Sequence, residues 1–190
     1  MNTYYADLHV HTAASQDGRS SLEDLRAAAA AAGLHARAVT DHAQCTPRPP
    51  AVNRILLIPG CEISTKAGHI TGLFLERPVD LAALGRLPEP EAAVAAIREA
   101  GGLAVLAHPF HRPGRQGADY AFPLDAVEAV NARACFKNPA ANDQAAAFAA
   151  QRQLPSVGGS GAHDAKEVGN ACTALTAGAP PLPPLREALA

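Results

Sequence analysis

The sequence predicts an α/β fold built on a parallel sheet or barrel, and three observations carry that prediction. Apolar runs of strand length alternate with helical patterns along nearly the whole chain. The connections are short, which favours repeated strand–helix–strand units. One run, Leu103-Ala104-Val105-Leu106-Ala107, is apolar throughout, the mark of a strand covered on both faces. The chain of 190 residues is 48% hydrophobic and 18% charged, a globular composition of one-domain size. Trp is absent and aromatic residues are few, so Leu, Val, Ile and Ala must build the core.

Residues 4–10 read as the first strand. A helix is expected from Ser20, with Glu23 completing a capping box and Gly33 at the C-terminal end. Residues 36–40 give the second strand, 55–58 a third bounded by Pro59-Gly60, and 69–75 a fourth. Residues 89–100 form an amphipathic helix with Pro90 in its first turn and Gly101-Gly102 ending it. Strands follow at 103–107 and 126–130, then an Ala-rich helix over about 139–151 opened by Asn138-Pro139, and a seventh strand at 156–158. Pro180–Pro184 is a stiff connector into a short C-terminal helix. No repeat or second domain is visible, so residues 1–190 are expected to form one domain.

The net charge of −2 argues against broad binding to polymeric nucleic acid or anionic membranes. Cys45, Cys61, Cys135 and Cys172 are scattered, without a Cys-x-x-Cys pair, which argues against structural zinc; they are expected to be inert, with Cys61 packed on the face opposite Glu62. The N-terminus has no signal-peptide pattern and no apolar run is long enough to span a bilayer, so a reduced, cytoplasmic location is expected.

In such folds functional groups collect at the C-terminal ends of the strands. His9 and His11 end the first strand; two residues apart, they point the same way and can share a metal ion. Asp41 and His42 follow the second strand, Glu62 the third, His108 the fifth and His163 the seventh. Their joint placement at one rim predicts a polynuclear metal site. His35 starts the second strand, at the opposite rim, and is expected to be a surface residue.

With those residues in place, the chain resembles the polymerase-and-histidinol-phosphatase (PHP) family of metal-dependent phosphoesterases. The resemblance runs from about residue 6 to 175 and rests on Asp7-Leu8-His9-Val10-His11-Thr12, Ser15-Gln16-Asp17-Gly18, Thr40-Asp41-His42 and Pro59-Gly60-Cys61-Glu62-Ile63-Ser64. It continues through Gly68-His69-Ile70-Thr71-Gly72, Ala107-His108-Pro109-Phe110 and Gly158-Gly159-Ser160-Gly161-Ala162-His163. It implies a distorted (β/α)7 barrel with two or three divalent ions (Mn, Fe or Zn) at the C-terminal rim. By the same resemblance, His9 and His11 hold one ion, and Glu62 bridges it to a second taken by His69 and His108. A third takes Asp17, His42 and His163. Asp7 and Asp41, each close to a ligand histidine, are expected to orient an imidazole. One departure stands out: the family usually has Asp where this chain has Gly161, so a carboxylate ligand of the first ion is missing.

The chemistry such a site suits is phosphoester hydrolysis by a metal-activated hydroxide. Glu62, His42 and His163 are the expected catalytic groups, with a protonated histidine near the third ion aiding the leaving alkoxide. Substrate phosphate is expected to meet His111, Arg112 and Arg115 in the loop after His108, and Asn131 and Arg133 after the sixth strand. The expected partner is a small phosphorylated metabolite or nucleotide, and nothing specifies an oligomeric state. The competing expectation, raised by Gly161, is a catalytically impaired metal- or phosphate-binding module of the same fold.

Overall fold

The computed structural model describes residues 2–42, 44–45, 55–177 and 186–187. The Pro180–Pro184 connector lies outside them, and of the C-terminal helix only residues 186–187 are described, in helical conformation.

Eight strands form one sheet: β1 (Asn2–Asp7), β2 (Ala36–Val39), β3 (Leu56–Thr65), β4 (Gly68–Leu73), β5 (Leu103–Ala107), β6 (Ala126–Asn131), β7 (Ser156–Gly159) and β8 (Thr173–Ala177). The spatial order is β7-β6-β5-β4-β3-β2-β1-β8. The sheet curls into a nearly closed barrel: the Thr173 hydroxyl of β8 accepts from Gly158 N–H of β7 at 2.8 Å. Helices α1 (Leu22–Ala31), α2 (Leu81–Leu84), α3 (Pro90–Glu99), α4 (Ala134–Lys137) and α5 (Ala141–Arg152) fill the connections.

The barrel is mixed, which corrects the expectation of purely parallel pairing. β4 runs antiparallel to both neighbours, and β8, absent from the sequence reading, runs antiparallel to β1. The cause is the length of β3. It does not stop at Pro59-Gly60 but continues to Thr65, and only Lys66 and Ala67 separate it from β4. A two-residue connection permits only an antiparallel return. Two consequences bear on function. Glu62 lies inside a strand, level with His42 across an isolated bridge. His69 begins a strand that points back into the barrel, so it is the start of β4 that meets the rim.

One buried cluster, including Ala6, Leu8, Ala38, Ile58, Leu73, Val105, Ala126 and Val157, is drawn from the strands and the residues that directly follow them, with no helix, and fills the barrel with small and branched side chains. A second packs α3 and α5, through Val94, Ile97 and Phe148, onto Ile63, Ile70, Leu106 and Val127. Cys61 is fully buried in that cluster. A third lays Leu25 and Ala29 of α1 over Val10, Leu34 and Ala162.

The cap of α1 is shifted by one residue from the expected position. Ser21 and Asp24 form the capping box, because the Ser20 hydroxyl instead accepts from the Ala165 N–H at 2.9 Å. Gly33 follows the helix with φ +71°, the left-handed conformation that suits glycine after a helix end. Among the described residues no helix is long and apolar enough to cross a membrane.

Candidate metal centre

β1 ends at Asp7, earlier than expected, and only Val10 regains pairing, in a bridge to Ala162. His9 and His11 nevertheless converge, with their Nε2 atoms 3.1 Å apart. Both are buried. The Nδ1 of His9 faces Glu128 at 3.0 and 3.1 Å. Donation of Nδ1–H to that carboxylate leaves the Nε2 lone pair directed at the cluster. His163 is set the same way, its Nδ1 2.8 Å from the Gly161 carbonyl and its Nε2 2.9 Å from Asp17.

Glu62 stands at the middle, 1% exposed. One of its oxygens, Oε2, faces His9, His11 and His42, each at 3.3 Å. The other, Oε1, faces His69 at 2.8 Å and His108 at 3.1 Å. A carboxylate offers about four lone-pair sites, so five imidazoles exceed what it can satisfy by hydrogen bonding. The donor set fits divalent cations: His9, His11 and Glu62 form one group, His42, Glu62 and His69 another, and His11, Asp17, His42 and His163 a third. Mixed imidazole and carboxylate donors suit Mn, Fe or Zn.

The surroundings favour lone pairs on several histidines. Burial lowers His11 to about 4, with only partial opposition from Glu62. Burial also lowers His42. For Glu62 burial acts upward, but His9 and the other histidines hold the carboxyl well below its usual range. His108 has φ +29°, strained for a residue with a Cβ. Its N–H is held by Glu128 Oε2 at 2.8 Å.

A cavity of about 410 Å³ opens over the cluster. His9, His11, Asp17, His42, Glu62, His69, His108 and His163 all line it, as do Arg112, Asn131 and Arg133. Arg115 does not; it borders a neighbouring depression, 4.0 Å from Asp119. Arg133 pairs with Glu167 at 3.1 Å. The Asn131 carboxamide is already engaged: it donates to Glu128 at 2.9 Å and accepts from the N–H groups of Arg133 and Ala134 at 3.0 and 2.9 Å. Gly161 has φ +64°, and a Cβ there would lie 2.9 Å from Asn131 Nδ2.

Asp7 and Asp41 are hydrogen-bonded to backbone N–H and hydroxyl groups. Asp7 accepts the N–H groups of Ser160 and Gly169, at 2.9 and 3.0 Å, and so fastens loops. Asp41 grips Thr12 and Ser15, and Ser15 Oγ lies 3.2 Å from His11 Nδ1, so its influence on an imidazole is indirect. The carboxylate that does touch an imidazole's outer nitrogen is Glu128, which sequence reasoning passed over. Its signal was an acidic residue inside the apolar run Ala126–Val130. His111, with Nδ1 3.1 Å from that of His108, and Glu167 were likewise not singled out as parts of the metal centre.

A family model described as the PHP domain matches residues 7–112, and one described as PHP-associated matches residues 139–189. An uncharacterised protein of Methanocaldococcus jannaschii is 32% identical over 144 residues, which cover 67% of this chain and 81% of that protein. Among solved structures, a two-domain protein from Bacteroides vulgatus, described as containing a predicted PHP-like metal-dependent phosphoesterase, superposes with a TM-score of 0.72 at 21% identity. The match covers 99% of this chain but 62% of that one. The lesion-specific endonuclease Q of Pyrococcus furiosus gives a TM-score of 0.67 at 14% identity, covering 99% of this chain and 56% of that one. Fold likeness at such low identity speaks for the barrel alone, while the family model spans more than half of the sequence and takes in His9, His11, His42, Glu62, His69 and His108. The chain belongs to the PHP domain family.

Proposed function

We propose that this protein is a metal-dependent phosphoesterase acting on a small phosphorylated substrate. The observation that carries the reading is Glu62, whose two oxygens address two separate sets of histidines at the floor of a cavity walled by Arg112, Arg133 and Lys137. Divalent ions held by His9, His11, Asp17, His42, Glu62, His69, His108 and His163 would supply Lewis-acid activation of a phosphoryl group and of water. The chain's own contribution is to fix donors and to balance charge. Glu128 sets the tautomer of His9, and the Gly161 carbonyl sets that of His163. Arg112 and Lys137 supply positive charge at the mouth, and Glu167 holds Arg133 beside it.

A small substrate fits a cavity of about 410 Å³ and a chain of net charge −2. The endonuclease relative keeps nucleic acid as an outcome to be tested. A second reading, an impaired metal- or phosphate-binding module, is favoured by one observation: Gly161 offers no ligand, and Asn131 fills the space beside it. The deciding experiment is turnover of aryl phosphomonoester, aryl phosphodiester and an oligonucleotide by manganese-loaded protein, beside a chelated control and Glu62→Gln. Chelator-sensitive hydrolysis of an aryl ester, lost in Glu62→Gln, supports the esterase. Tight metal binding without turnover on any of the three supports the module.

A further inference from the structure

Phe136 of α4 is 90% exposed, yet its residue lines the same cavity as the histidines. The turn that carries it has little part in the core, since only Ala134 of α4 is buried. Three asparagines nevertheless fix it. Asn131 Oδ1 accepts the N–H groups of Arg133 and Ala134 at 3.0 and 2.9 Å. Asn138 Nδ2 donates to the Phe110 carbonyl at 2.9 Å, and Asn142 Nδ2 lies 3.0 Å from Cys135 Sγ. Polar side chains thus hold rigid a turn whose largest apolar group faces water at the cavity mouth. Single exposed apolar residues are common on protein surfaces; this one lines the cavity that Arg112 and Lys137 also line.

We infer that Phe136 is a platform for the leaving group, and that the substrate is a phosphoester whose leaving group carries a planar aromatic ring. The inference rests on the phosphoester reading above. With the phosphoryl group over Glu62 and its histidines, the ring of the leaving group covers Phe136, and both rings lose apolar contact with water. Arg112 and Lys137 flank the same mouth and face the remaining negative charge.

Phosphonates, whose P–C bond is not hydrolysed, separate binding from turnover. Isothermal titration of manganese-loaded protein is expected to show phenylphosphonate binding about tenfold more tightly than methylphosphonate, the scale of one aromatic contact. In Phe136→Ala the two are expected to fall within about twofold of each other, with methylphosphonate unchanged, while Phe136→Tyr keeps the preference. Residue 136 is exposed and outside the core, and an unchanged methylphosphonate affinity verifies that the variant keeps its fold. A phenyl preference that survives Phe136→Ala, or equal affinity in the unaltered protein, overturns the platform and leaves the phosphoesterase standing. Failure of the loaded protein to bind either phosphonate removes both.

Discussion

Glu62 and Glu128 act on His9 from opposite sides. Glu62 meets its Nε2 at 3.3 Å and Glu128 its Nδ1 at 3.0 Å. Their substitutions are therefore expected to differ in kind. Glu62→Gln removes a shared donor and should lower metal content as well as turnover, read by elemental analysis of dialysed protein. Glu128→Gln keeps the shape but weakens the acceptor, and is expected to reduce metal affinity about 10–100-fold without abolishing it. A titration showing equal affinity in Glu128→Gln would refute that part for Glu128. The histidines also give the metal-free protein a pH profile. Burial lowers His11 to about 4 from an ordinary 6.5, and burial with the nearby His108 does the same to His111. Between those values the unfolded chain binds protons that the folded chain refuses, so stability is lost as pH falls from about 6.5 towards 4. His42 acts in the same direction. His9 opposes them: burial would lower it, but Glu128 and Glu62 raise it well above its usual value, so its contribution is complete below 6.5 and fades as pH rises. Inside that window the group that opposes the three histidines is Asp7, which burial raises from its ordinary value; with three histidines against one carboxyl, the Tm of chelated protein is expected to drop across it. A flat or rising Tm on acidification would contradict the assignment.

At the scale of elements, α1 offers a sharp test of which serine does what. Ser21→Ala removes the cap and is expected to cost about 1 kcal/mol in urea unfolding. Ser20→Ala should instead loosen the segment at Ala165 and leave the helix cap intact. The sequence pattern announced a cap here and placed it one residue early, because two serines in succession satisfy the same rule and only the Ala165 contact separates them. The strands show the same division. The apolar runs marked β1, β2, β5, β6 and β7 within a few residues, since each is bounded by helix or turn signals. β3 was cut short at Pro59-Gly60, where the break signal is local but the strand continues through it. The direction of β4 was then illegible, because direction depends on how many residues lie between two strands. β8, Thr173–Ala177, mixes polar and apolar residues and announces no strand without its partner β1.

At the scale of the molecule, the metal centre stands on a buried charge arrangement. Arg37 is fully buried and lies in register with Asp7. Burial lowers it to about 10 against the pull of Asp7 and Asp41. Its guanidinium donates to the carbonyls of Leu22 and Ala38 at 3.2 and 3.3 Å. Arg37→Met would leave those carboxylates uncompensated, and is expected to destabilise the fold by about 3–5 kcal/mol, measurable in urea. The clustering of histidines and carboxylates was far more legible than this support. Histidines at strand ends are visible in one dimension, whereas Asp7 comes beside Arg37 only once β1 and β2 have paired, and holds the Ser160 N–H only once the barrel has closed.

That closure also sets an order of events. Asp7 and Ser160 are 153 residues apart, and β1 has no neighbour on one side until β8 arrives. A chain emerging from the ribosome presents His9, His11, His42, Glu62 and His69 long before His163 or β8 exists. Early in synthesis the nascent chain is thus an open, histidine-rich chelator with an unpaired strand edge. His163 and the sealing strand emerge almost together, so the histidine cluster and the closed barrel are completed in a single step.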